Sequence, residues 1–149
     1  MDIDQLAIDA PEPEDFAGFL IWQLSNKWEK YVNQQLKEFD TNQGECFHLI
    51  SIWQLSKRLS EVTQVDIART TGGSIMNTSK ILKSLEKKQW ITRQPASDPR
   101  AKKVEITKAG IAVLFDTSTV LGKANEAFFG KDHTKELIAT LQAINHNHT

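Results

Sequence analysis

The sequence has 149 residues, 40% of them hydrophobic and 25% charged, with a formal net charge of −1. That length supports about one domain with a real core, and the absence of an apolar run long enough for a bilayer excludes a helical membrane protein. The single cysteine, Cys46, excludes an intrachain disulfide. The acidic N-terminus lacks the basic and apolar regions of a signal peptide, so a cytoplasmic protein is expected.

Residues 1–15 carry six acids, no bases and two prolines, the composition of a loose acidic arm. From Phe16 to Phe39 apolar residues recur three or four apart (Phe16, Phe19, Leu20, Leu24, Trp28, Tyr31, Val32, Leu36, Phe39), which predicts one long helix. Ile21 and Trp22 add apolar surface outside this stripe, more than one face needs, as in a helix packed against a partner chain. Thr41-Asn42-Gln43-Gly44 is a turn. Glu45 to Leu59 is the next predicted helix, with Phe47, Ile50, Trp53 or Leu55, and Leu59 facing inward. Cys46, at its start, is the candidate for a reactive thiol, although a free cysteine is more often a small buried side chain.

Thr63 and Asp66 form a Thr-x-x-Asp capping pattern that opens a short helix with Val65, Ile67 and Ala68 on its apolar side. Gly72-Gly73 ends it, since glycine accepts the positive φ of a tight turn. Ser74 caps the following helix, in which Ile75, Ile81, Leu82 and Leu85 are the expected apolar face. Asn77, Thr78, Ser79, Lys80, Lys83, Ser84, Lys87 and Lys88 lie between them, short hydrogen-bonding side chains first and lysines further along. That order suits base edges and phosphates respectively; an ordinary solvated helix face is the plainer alternative. Trp90–Arg93 and Val104–Ile106 read as paired strands. Pro95 and Pro99 are expected to keep the segment between them out of a regular ladder. The loop Ser97–Lys103 presents three cations and one anion, placed to reach a backbone or a minor groove. Beyond it, Ile111–Phe129 and His133–Ile144 read as two more helices, separated at Gly130.

Charge is unevenly distributed. Residues 57–108 hold twelve Lys and Arg against five Asp and Glu, a surplus of seven positive charges, while the remainder holds six against fourteen. A basic block inside an acidic chain is an electrostatic footprint for phosphate. The polar tail His146-Asn147-His148 lacks the accompanying ligands of a metal site. The sequence has no Ser-His-Asp, paired-carboxylate or phosphate-cradling glycine pattern. Neither metal, cofactor nor enzymatic activity is therefore expected.

The stretch from Thr63-Gln64 through Ile67-Ala68, Ser74–Lys88 and Asp98-x-Arg100-Ala101-Lys102-x-Val104-x-Ile106-Thr107-x-x-Gly110 resembles the winged helix-turn-helix of the multiple antibiotic resistance regulator (MarR) family. Two positions depart from that pattern: Gln89 stands where glycine usually ends the recognition helix, and Pro99 where a second arginine is common in the wing. The resemblance implies a mainly α fold with a small β-hairpin wing. Residues 45–110 would form the reading head, and residues 16–40 and 111–146 the dimerisation helices, in a single domain over 16–149. It implies a homodimeric repressor on a pseudo-palindromic double-stranded operator. Asn77, Thr78, Ser79 and Lys80 would approach base edges, Arg69, Ser74 and Lys83 would hold phosphates, Arg100 would enter the minor groove, and Lys102 and Lys103 would meet phosphate. Asp98 would orient Arg100 or cap the loop rather than touch DNA. A small aromatic or phenolic acid would release the DNA from a crevice between the dimer helices and the head, for which Trp22, Trp28, Phe47, Trp53 and Trp90 are candidate lining. The alternatives are redox sensing through Cys46 and a winged helix that binds protein rather than DNA.

Overall fold

A computed structural model describes residues 12–148; most of the acidic arm expected over 1–15 lies outside them. Six α-helices and one antiparallel hairpin follow in the order α1 (Ala17–Leu36), α2 (Gln43–Ser56), α3 (Gln64–Thr71), α4 (Ile75–Lys87), β1 (Ile91–Pro95), β2 (Lys102–Ile106), α5 (Lys108–Phe129) and α6 (Lys131–His146). This is the mainly α, winged architecture expected from the sequence. No described helix is long and apolar enough to cross a membrane.

Two apolar clusters hold the chain. The larger joins Leu49, Ile52 and Leu55 of α2 to Val62, Ile67 of α3, Leu82 and Leu85 of α4, Ile91 of β1 and Val104 of β2. It is the core of the head. The smaller joins Val32 and Leu36 of α1 to Cys46 and Ala124, with Trp28, Tyr31, Val120 and Leu121 packed around it. There Trp28 stacks among Tyr31, Phe128 and Phe129, with ring centroids 5.2–6.4 Å apart.

Several sequence expectations shift. The long first helix ends at Leu36 and tightens into a 3-10 turn, Lys37–Phe39, before the left-handed Asp40. Helix α2 starts two residues early because Asn42 caps it, accepting the Glu45 N–H at 2.9 Å. Its inward phase also differs: Phe47, Trp53 and Leu59 are exposed, whereas Glu45, Cys46 and His48 are buried beside Leu49, Ile52 and Leu55. Hydrophobicity misplaces this face because two of its buried residues are polar and are held by hydrogen bonds. His48 Nδ1 meets the Gly44 carbonyl at 2.7 Å, and Glu45 accepts from Ser84, Lys88 and Thr41. Pro95 joins the ladder after all, opposite Lys102. It ends a strand of a two-stranded sheet, where a missing N–H breaks nothing. The last two helices begin three and two residues earlier than the apolar pattern suggested, at Lys108 and Lys131. Thr107 caps the first of these, accepting the Gly110 N–H at 3.1 Å.

Candidate nucleic-acid interface

Helix α3 opens with a complete capping box. Thr63 Oγ1 accepts from Asp66 N–H, and the Asp66 carboxylate accepts the Thr63 N–H at 2.9 Å. Gly72, at φ +74°, makes the left-handed turn into the second helix. Ser74 then caps α4, its hydroxyl accepting the Asn77 N–H at 3.0 Å. The Gln64 side-chain amide donates to the Ile75 carbonyl at 3.4 Å and ties the first turn of α4 to α3.

The inward face of α4 is Thr78, Leu82 and Leu85, all fully buried. Ile75, expected inside, is 49% exposed instead. Thr78 takes the inward register because it lies one turn before Leu82 and two before Leu85. Its expected contact with a base edge therefore falls away, and its hydroxyl lacks a hydrogen-bond partner among the described residues. Ser79 is half-buried, while Ser74, Asn77, Lys80 and Lys83 are exposed. Residues 76, 80, 83 and 87 share the side opposite the core, and this stripe reads Met-Lys-Lys-Lys. Among the described residues Arg69, Lys80, Lys83, Lys87 and Lys102 form no ion pair.

The C-terminal end of α4 is braced rather than open. Lys88 Nζ donates to Glu45 Oε1 at 2.8 Å and to the Asp40 carbonyl at 2.6 Å, and Ser84 Oγ donates to Glu45 Oε2 at 2.7 Å. Arg93 of β1 grips Glu86 through two nitrogens at 3.1 and 3.3 Å, which holds the Glu86 carboxyl below the usual carboxylate range. Gln89 ends the helix with φ +64°, the conformation that glycine adopts freely. Thr107 closes this junction: its hydroxyl donates to the Gln89 carbonyl at 2.8 Å and its N–H to the Trp90 carbonyl at 2.9 Å. A Cβ on Gly110 would overlap that same Trp90 carbonyl, so the Thr107-x-x-Gly110 pattern serves the seam between α5 and the head.

In the wing, Arg100 donates to Asp98 from Nε and Nη2 at 3.2 and 3.3 Å, and Asp98 Oδ1 also accepts the Arg100 N–H. Asp98 thus orients Arg100, as the sequence suggested, and Arg100 in turn keeps the Asp98 carboxyl below its ordinary range. The Arg100 side chain remains 89% exposed. Lys102 is exposed. Lys103 differs: it is half-buried in β2 and paired with Glu105 at 3.4 Å. Glu61, just before α3, accepts both the N–H and the hydroxyl of Ser97 and so fixes the wing to the head. A cleft of about 390 Å³ between the wing and the start of α3 is lined by Arg93, Arg100 and Lys102. Sequence reading missed three braces: Glu45–Lys88, Glu86–Arg93 and Glu61–Ser97. It also missed Met76, whose signal was an apolar residue out of phase with the core.

The five aromatic candidates do not converge. Trp22 is 63% exposed on α1, Trp28 belongs to the aromatic cluster, and Trp90 packs against the head core beneath Lys88. Phe47 borders a depression of mixed polar and apolar lining that includes His48, Asn77, Lys80 and Ile81. Trp53 alone lines the apolar groove of about 280 Å³ between α2 and α5, with Ile50, Ile111, Leu114, Phe115 and Ser118. Lys57 Nζ sits 3.3 Å from the centroid of the Trp53 ring. Cys46 is fully buried, and burial pushes its thiol pKa up, only partly offset by the hydroxyls of Thr41 and Thr117. A protonated, enclosed thiol is a poor nucleophile, so the redox alternative loses its support.

No family model matches the sequence. The chain is 30% identical over 125 residues to the uncharacterised HTH-type transcriptional regulator YdcH of Bacillus subtilis, covering 83% of this chain and 85% of that protein. A crystal structure of a mutant MarR from E. coli complexed with operator DNA superimposes with a TM-score of 0.73 at 21% identity, covering 85% of this chain and 91% of the other. The structure of CouR from Rhodococcus jostii RHA1 bound to p-coumaroyl-CoA gives 0.74 at 20% identity, over 91% and 95%. At those identities the two structures share the fold.

Proposed function

From the premise that this chain belongs to the MarR family of winged helix-turn-helix transcriptional regulators, we propose that it binds double-stranded operator DNA as a homodimer and represses transcription. The observation that carries this is the outward face of α4. Asn77, Lys80, Lys83 and Lys87 stand exposed there with no acid among them and no ion pair. Asn77 is suited to adenine and Lys80 to guanine or phosphate, with Ser79 beside them. Ser74, Arg69 and Lys83 hold phosphates. Arg100 exchanges an exposed and therefore weak pairing with Asp98 for the minor groove, and Lys102 takes phosphate. Lys103 does so only by leaving Glu105.

The reading head spans residues 45–110, and the helices over 16–40 and 111–146 hold the dimer. Support comes from apolar surface that the described residues leave uncovered. Phe16, which precedes α1, and Ile21, Trp22 and Leu24 within it are 44–63% exposed, and Leu137, Ile138, Leu141 and Ile144 line one side of α6. A two-fold dimer presents two α4 helices to half-sites one helical turn apart. A dimer lying across a promoter blocks it, which makes repression the direct consequence of binding. This is a regulator with no enzymatic step, acting in the cytoplasm.

The groove at Trp53 favours a second element, release by a small aromatic acid. Its walls are apolar, Lys57 at Trp53 offers a carboxylate partner, and it lies between the head and α5. Ligand-dependent quenching of tryptophan fluorescence that is lost in Trp53→Ala, with a parallel fall in DNA affinity, is the expected result.

The DNA reading is tested by titrating the protein against DNA upstream of its own gene and an unrelated fragment at several salt concentrations. Tighter binding to the first, weakening steeply with salt, is expected. No binding to either at low salt overturns the reading in favour of a protein-binding winged helix.

A further inference from the structure

Met76 is the most exposed large apolar residue among those described, at 84%. It heads the stripe whose other members are Lys80, Lys83 and Lys87, directly opposite the buried Thr78, Leu82 and Leu85. No core lies on that side for it to cover. Its place in the first turn is fixed from two directions, by the Ser74 cap on Asn77 and by the Gln64 amide on the Ile75 carbonyl. A long, unbranched thioether therefore projects from the N-terminal end of the helix, between a hydrogen-bonding Asn77 and the first lysine of the stripe.

We propose that Met76 is a specificity-determining residue that reads the C5-methyl group of a thymine in the major groove. The assignment rests on α4 being the major-groove helix of a DNA-binding protein. The first turn of such a helix meets base edges, while later turns meet backbone. Among the four standard bases the groove floor offers one apolar group, the thymine methyl, and apolar side chains recognise it. An unbranched methionine can follow that methyl through small changes of duplex geometry because it has three rotatable bonds and a polarisable sulfur. Lysines at 80, 83 and 87 supply affinity indifferent to sequence; Met76 adds discrimination at one base pair.

The test uses duplexes recovered by the full-length protein from a random-sequence library, with each thymine replaced in turn by deoxyuridine. That substitution keeps every hydrogen-bonding group and removes only the methyl. The parent is expected to lose about fourfold in affinity at one thymine per half-site, the size expected for burying one methyl. Met76→Ala is expected to bind thymine and deoxyuridine duplexes equally, with an unchanged thermal unfolding curve. Met76→Lys, a second variant on the same exposed site, is expected to bind all duplexes more tightly and to lose the methyl preference too. A parent indifferent to deoxyuridine at every position overturns the assignment, as does the full penalty persisting in either variant. Failure of the DNA-binding reading looks different: the parent then recovers no sequence above the random pool.

Discussion

In the head, Leu49, Ile52, Ile67, Leu82, Leu85 and Ile91 are at most 1% exposed, whereas no residue of α6 is buried and Leu137, Ile138, Leu141 and Ile144 stand 36–49% exposed along one side of it. The head reaches this enclosure by wrapping α2, α3, α4 and the hairpin around one cluster. It also carries its own ties, Glu45–Lys88, Glu86–Arg93 and Glu61–Ser97. Helices α1 and α6 have an apolar side as well, but the described residues leave much of it uncovered. A reading element must hold its shape with or without DNA, so its burial is completed internally. On the proposed dimer reading, α1 and α6 keep their apolar area for a second copy, where burial becomes association.

The contrast can be broken from the outer side first. Leu141→Glu places a charge on the uncovered side of α6 and is expected to yield a folded monomer. Losing the second half-site should weaken operator binding by about 10²–10⁴-fold. Light scattering and a DNA titration read both effects, and a variant that remains dimeric with parental affinity would refute the division of labour. From the inner side, Leu82→Ala empties a fully enclosed position and should cost about 2–5 kcal/mol in urea unfolding. A loss below 1 kcal/mol would mean that the head core is far looser than its burial implies.

The braces and the register of α4 give smaller, sharper effects. Glu45→Ala leaves Lys88 and Ser84 without their carboxylate; with Lys88 still 26% exposed, the expected cost is about 2–3 kcal/mol. In the opposite direction, Thr78→Val removes a buried hydroxyl that has no partner while keeping the branched shape. It should stabilise the head by about 1 kcal/mol and leave DNA affinity unchanged. If the same substitution instead abolished DNA binding with the fold intact, Thr78 would be a base-reading residue and the register described for α4 would be wrong.

These residues also mark what the sequence could and could not reveal. The Thr63–Asp66 box, the Gly72 turn, the Ser74 cap and the Asp98–Arg100 pair are all legible because partners lie two to four residues apart. The phase of α4 is not, because Thr78 carries a polar group yet fills an apolar slot, and Ile75 does the reverse. The same confusion turned α2, where Glu45 and His48 occupy buried positions. What makes Glu45 tolerable there is Lys88, 43 residues on, and no local pattern announces such a partner. The five aromatic candidates do not converge for a related reason: Trp28, for one, finds Phe128 and Phe129 from the far end of the chain and becomes packing. The N-terminal turn of α4 was legible as polar and basic, but Met76 was overlooked because an apolar residue is first counted toward a core.

Gln89, at the junction of α4 and the wing, gives the smallest effect. It sits at φ +64° between the Lys88 brace and the first strand of the wing, in a region where a side chain with a Cβ pays a steric penalty. The surroundings hold it there: its N–H donates to the Glu86 carbonyl at 2.9 Å, and its carbonyl accepts the Thr107 hydroxyl at 2.8 Å. Both partners meet the backbone of residue 89, so Gln89→Gly keeps them and removes only the strain. The expected gain is about 0.5–1 kcal/mol, the positive-φ penalty less the larger unfolded-state entropy of glycine. Because the residue lies within the head, that gain should appear as a higher denaturant midpoint at unchanged dimer affinity. A weaker DNA complex in the stabilised variant would instead show that the strained turn sets the angle between α4 and the wing, and that the head gives up stability there to hold its two DNA-facing elements in register.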